Sequence, residues 1–193
     1  MSEGHALPVA GRCLTAAIAL AGLGLSACGQ PSAATAHPGT TAAELHSYLA
    51  AVEPIRLGVN ELLNKADPII DGFKSKKLTG AQASAQMGSL EQTFATYTVQ
   101  VNVLQPADPT LAAINAPYAH TFILEDSYLN ALVNGLAEDN FDSLPNTQSD
   151  QRAAIIEWRV QLEVLAIRLH VTLPSDLQQA GRGEIAPSVS GAS

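Results

Sequence analysis

The sequence predicts an all-α fold: an antiparallel up-down four-helix bundle with a kinked first helix and a short C-terminal helix. Three observations predict it. Helix-start signatures recur along the chain. Between them, apolar residues return every three or four positions, the repeat of a helix buried along one side. The composition is 47% hydrophobic but only 5% aromatic, and rich in alanine, which suits aliphatic helix packing better than a sheet. At 193 residues the chain is long enough to bury one sizeable core.

The first helix opens at TAAE, residues 41–44, a capping box in which the Thr41 hydroxyl accepts from the Glu44 amide and Glu44 reaches back. Its apolar stripe is Leu45, Tyr48, Leu49, Val52, Ile55, Val59, Leu62 and Leu63, continued in phase by Ile69, Ile70 and Phe73. Pro54 and Pro68 each remove a backbone hydrogen bond and crowd the preceding turn. The expectation is one kinked helix, or a break at Asp67-Pro68 with Asp67 as a new cap. KSKK at 74–77 then sets positive charge against a helix C-terminus.

The second helix opens at a second box, TGAQ at 79–82, followed by Ala83, Met87, Leu90, Phe94, Tyr97, Val101 and Leu104. The third opens at ADPT, 107–110, with Asp108 as N-cap and Pro109 at the first helical position, where a missing N–H costs nothing. Its stripe is Leu111, Ile114, Tyr118, Phe122, Leu129, Leu132 and Leu136. The fourth follows TQSD at 147–150, a looser box, with Ile155, Trp158, Leu162, Leu165 and Leu169. SDLQ at 175–178 predicts a short fifth helix ending at Gly181. Helices of about 24 to 36 residues measure about 36 to 54 Å. The short loops between them favour antiparallel neighbours.

Ahead of this body, residues 13–27, CLTAAIALAGLGLSA, form an apolar run after Arg12. The run is shorter than the ~20 apolar residues of a membrane-spanning helix. It matches the apolar region of a secretory signal peptide. LSAC at 25–28 places Leu at −3, small residues at −2 and −1, and Cys28 at +1 of a cleavage site. That segment resembles the lipobox of bacterial prolipoproteins, and the resemblance covers residues 12–29 alone. It implies a diacylglycerol on the Cys28 sulfur, cleavage after Ala27, and attachment to the extracytoplasmic face of the cell membrane. The competing reading is an ordinary signal peptide cleaved after LSA, with Cys28 incidental.

With Cys13 inside the signal, the mature chain is left without a disulfide, a thiolate nucleophile or a cysteine metal site. Two acyl chains anchor far more firmly than one. The expected organisation is therefore a signal peptide (1–27), a flexible tether (28–40), a helical bundle domain (41–181) and a C-terminal tail (182–193). The residues after Cys28 are rich in Ser, Thr, Pro and small side chains and reach at most about 40 Å. AGRGEIAP at 180–187 is expected either to pack back on the bundle or to dock elsewhere.

The net charge is −8, and removing residues 1–27 takes away only Glu3 and Arg12, leaving it unchanged. Such a surface repels nucleic acid, which is excluded as a partner. Chemistry-bearing residues are few. Glu125 falls in the middle of the third stripe, where a lone carboxylate is costly unless paired. Arg56 and Arg159 lie near the apolar faces of their helices, and Tyr97 and Tyr118 point inward. These five suggest a buried Arg–Glu–Tyr network, either a register-fixing ion pair or the polar wall of a small-ligand pocket.

No Glu-x-x-His pair supports a di-iron site, and His120 lies roughly opposite Glu125 on its helix. Met87 reads as core and not as a haem ligand, since no histidine faces it and no C-x-x-C-H occurs. No nucleophile elbow, phosphate loop or dinucleotide fingerprint is present. No cofactor or metal is expected. The sequence thus points to a lipid-anchored, non-enzymatic binding or structural module of the cell envelope. Its protein or small-molecule partner is not named by any motif. The alternative is a small-ligand-binding bundle with a polar pocket around Glu125, and an enzyme is the third choice.

Overall fold

The computed structural model of the chain describes residues 39–179 and residue 185. Cys28, the signal segment and nearly all of the tether lie outside the described residues. Among those described, the secondary structure is helical, without strands: α1 (Ala42–Leu63), α2 (Ala66–Lys74), α3 (Gly80–Val103), α4 (Pro109–Glu138), α5 (Gln148–Leu169) and a 3-10 helix, Ser175–Gln179.

Three of the helix starts form as their sequences predict. The Glu44 amide donates to the Thr41 hydroxyl at 3.2 Å, and the Thr41 amide donates to Glu44 Oε2 at 2.8 Å. Thr79 and Gln82 repeat the arrangement at 3.2 and 2.9 Å. Asp108 Oδ1 accepts from the Leu111 amide at 2.8 Å, with Pro109 in the first turn of α4. The fourth start differs. Thr147 has helical backbone angles and makes no side-chain cap; its hydroxyl donates instead to Gln151 Oε1 at 3.2 Å. The fifth forms as a 3-10 helix and not as an α-helix.

The expected long first helix is two helices. The break falls at Asn64 and Lys65, not at Asp67, which sits inside α2. Pro68 explains the offset: its ring crowds the carbonyl four residues earlier, that of Asn64. Pro54 and Pro117 lie within α1 and α4 without ending them. α4 and α5 stop at Asp139 and His170, both with φ in the left-handed region, at 50° and 55°. Each amide there bonds back to its helix, to Gly135 O and to Ala166 O.

The apolar stripes are the buried ones. Leu45, Val52, Met87, Leu129, Leu132, Leu136, Trp158 and Leu162 are fully enclosed, while Phe73, Tyr97, Leu104 and Leu169 are half-buried against the same core. α3 and α5 each pack along α4, α1 and α2 pack on α3, and α1 also meets α5. Gly80 is required by the α3–α4 contact, since a Cβ there would stand 2.5 Å from the Leu136 carbonyl oxygen. Ile185, within the expected tail, is buried in the core. No helix among the described residues is long and apolar enough to cross a membrane.

Candidate functional site

Polar residues interrupt the inward stripes of α4 and α5 at matching places. On α4 they are Asn115, Thr121 and Glu125, and on α5 it is Gln151; all are buried. Glu125 is 1% exposed, and its Oε2 accepts from Gln151 Nε2 at 2.9 Å. The same amide nitrogen lies 3.2 Å from the Thr121 carbonyl, and the Gln151 oxygen accepts from Thr147. A neutral amide is thus one of the groups that meet this carboxylate.

Arg56 is engaged with other residues. Its side chain is 1% exposed, and it donates from Nε to Glu53 Oε2 at 3.2 Å and from Nη2 to Glu53 Oε1 at 2.7 Å. Nη2 also donates to the Asp176 carboxylate, which joins α1 to the C-terminal 3-10 helix. Burial pushes the Glu53 carboxyl upward, and its hydrogen bond with Asp176 holds Asp176 below the usual range. Arg159 and Tyr97 are half-buried. The Tyr97 hydroxyl lies over Gly58 of α1, so close that a Cβ at that glycine would be 2.4 Å from it. Tyr118 is fully buried and stacks on Trp158 at 4.1 Å, with an edge against Phe122 at 5.3 Å.

The most extended polar cluster was not anticipated. Trp158 Nε1 donates to the Tyr48 hydroxyl at 2.8 Å, and that hydroxyl donates to Asn115 Oδ1 at 2.8 Å. Asn115 Nδ2 donates in turn to the Leu104 carbonyl at 3.1 Å. Three helices and the α3–α4 connection are linked in one chain. Burial pushes the Tyr48 phenol well above its ordinary value, against the smaller opposing pull of Trp158, so it stays neutral. Signals for this cluster existed. Asn115 and Gln151 occupy helical phases of the stripes, at 115-118-122 and 151-155-158, but the apolar pattern passes over polar residues.

Across the α3–α4 contact, Glu91 and Asp126 face one another, and burial raises both carboxyls, Glu91 further through the Asp126 charge. Asp126 Oδ1 is buried without a hydrogen-bond partner. A raised folded-state pKa contributes stability below the unfolded value, about 3.9 for Asp and 4.3 for Glu, and loses it as pH climbs through the folded one. The protein is therefore expected to lose stability at this pair as pH rises from the ordinary carboxylate range through the raised folded-state values. Asp126→Asn removes one charge and relieves Glu91, so thermal unfolding across that range should flatten; an unchanged slope overturns the assignment.

Two clefts flank the α3–α4 connection. One, of about 300 Å³, is lined by Glu44, Ser47 and Tyr48 against residues 104–108. The other, of about 400 Å³, reaches Asn115 and Ala119. The Glu125 carboxylate lines neither. Among the described residues, no group of three or more His, Cys, Asp and Glu side chains is placed to hold a metal ion. What the buried groups do is bond one another: amide to carboxylate, indole to phenol, guanidinium to two carboxylates. No family model, curated protein or solved structure matches this chain.

Proposed function

We propose that this chain is a lipid-anchored, non-enzymatic binding module of the cell envelope. Cys28 carries the acyl anchor, residues 29–40 form the tether, and an up-down-up-down four-helix bundle presents its outer surface to partners. Residue pairs support the bundle topology. Between α3 and α4, Gly80 meets Leu136, the Ser84 hydroxyl donates to the Val133 carbonyl at 2.9 Å, and Phe94 stacks on Phe122 at 5.8 Å. One partner's number falls as the other's rises, as antiparallel neighbours require. Tyr118 with Trp158 and Glu125 with Gln151 repeat this between α4 and α5. Thr40 with Asp108 and Tyr48 with Asn115 rise together, as for parallel helices across a bundle.

The observation that carries the non-enzymatic reading is the interior, where Glu125, Arg56 and Tyr48 are each spent on internal partners. A catalytic acid or base needs an accessible reacting atom within hydrogen-bond reach. Function then falls to the outer surface and to the anchor that positions it. Cys28→Ser is expected to abolish labelling by a clickable fatty acid and to move the protein from the membrane fraction into the medium. Labelling that persists in the variant overturns the anchor.

A further inference from the structure

The end of the bundle where the chain enters α1 is chemically unlike the opposite end. Thr40 Oγ1 donates to Asp108 Oδ1 at 2.7 Å, which sets the entry beside the α3–α4 connection. A groove of about 310 Å³ then joins the start of α4, at Thr110 and Ala113, to the last turns of α5, at Val164 and Arg168. The start of α1, the end of α3, the start of α4 and the end of α5 therefore meet here.

The four most exposed large apolar side chains among the described residues lie at this end. They are Val99 at 63% and Val103 at 70% on α3, with Val164 at 63% and Ile167 at 76% on α5. Exposure falls along α5 away from it, to 42% at Val160 and 40% at Ile156. The connections at this end, residues 104–107 and 170–174, contain no Asp, Glu, Lys or Arg. The opposite end carries Lys65, Lys74, Lys76 and Lys77 with Asp139 and Asp142.

We propose that the entry end is a membrane-contacting surface. Val99, Val103, Val164 and Ile167 enter the interfacial layer of the same bilayer that holds the acyl group on Cys28. This inference rests on the lipid-anchor reading. The occupant follows from where the anchored segment joins the fold: Cys28 is twelve residues before Thr40, so this end is held within about 40 Å of the lipid. The shape agrees. Val103 and Ile167 lie within two residues of their helix ends, and Val99 and Val164 sit about one turn further in. Two helices that both pack on α4 thus present apolar groups at two matching depths. On α5 the exposed apolar residues also run at helical spacing, as Ile156, Val160, Val164 and Ile167, but their exposure rises toward this end. A flat apolar layer calls for an end whose exposure declines with depth. The far-end lysines do not contribute, and the charges at this end, Glu44 on α1 and Arg168 on α5, are of opposite sign, so the contact is apolar in the main.

The test uses the full chain, acylated in its host and reconstituted into phosphatidylcholine vesicles whose acyl chains carry nitroxides. The mature domain has no other cysteine, so Val103→Cys and Ile167→Cys accept a single fluorophore, with Lys77→Cys and Asn134→Cys as far-end controls. All four positions are on the surface, and unchanged thermal unfolding verifies each fold. Labels at 103 and 167 are expected to shift to the blue and to be quenched several-fold more than those at 77 and 134, with no dependence on added salt. An acylated, vesicle-bound protein with equal quenching at all four positions overturns the inference and leaves the anchor standing. Self-quenching at 167 between copies, independent of lipid nitroxides, assigns the face to a second copy and overturns it too. A chain that takes up no fatty acid and does not float with vesicles overturns the anchor reading, and this surface with it.

Discussion

Trp158→Ala is expected to lower the free energy of unfolding by about 3–5 kcal/mol, the range for removing a fully enclosed large aromatic. Trp158 is 0% exposed, stacks on Tyr118 and donates to Tyr48. The alanine variant leaves a void between α4 and α5 and removes a donor from a buried hydroxyl. Trp158→Phe separates the two effects. It keeps most of the ring and loses the N–H, so it should cost about 1–2 kcal/mol, since Tyr48 still donates to Asn115. Urea unfolding of both variants, with unchanged denaturant slopes, is the measurement. Equal losses for Phe and Ala would show that the indole hydrogen bond, and not the packing, carries the stability.

Arg56→Ala is expected to cost about 2–4 kcal/mol, below the 3–5 kcal/mol typical of breaking a fully buried pair. The discount follows from the partners: the Glu53 side chain is 16% exposed and that of Asp176 39%, so both can be rehydrated in part. Arg56→Met should recover some of the loss, because the aliphatic stem packs in the core. Since Asp176 lies on the 3-10 helix, both variants should also speed hydrogen exchange over residues 175–179 before α1 or α5 is affected. A loss under about 0.5 kcal/mol, with unchanged exchange there, would remove Arg56 from any structural role.

The readable parts of the fold were those whose causes lie within one helical turn. Thr41, Thr79 and Asp108 could be named as caps because each bonds an amide three residues on. The same logic failed at Thr147, whose hydroxyl is taken by Gln151, a side chain that also faces α4. The break in the first helix was visible in Pro68, but its position was set by the carbonyl that the ring displaces, at Asn64. For the buried polar groups, helical phase was enough to turn Glu125 and Tyr118 inward and not enough to choose their partners. Gln151 is 26 residues from Glu125, Asp176 is 120 from Arg56, and Trp158 is 110 from Tyr48.

What the amino-acid order determined alone was which segments are helical, where most of them begin, and which face of each turns inward. Those features depend on neighbours three or four residues apart, whose geometry a helix sets before any packing occurs. Only the tertiary structure decided that a glutamine meets Glu125, that Arg56 reaches the C-terminal 3-10 helix, and that the most exposed apolar side chains gather where the chain enters. Each of these is a distance between residues far apart in the chain, and such distances exist only once the helices have packed.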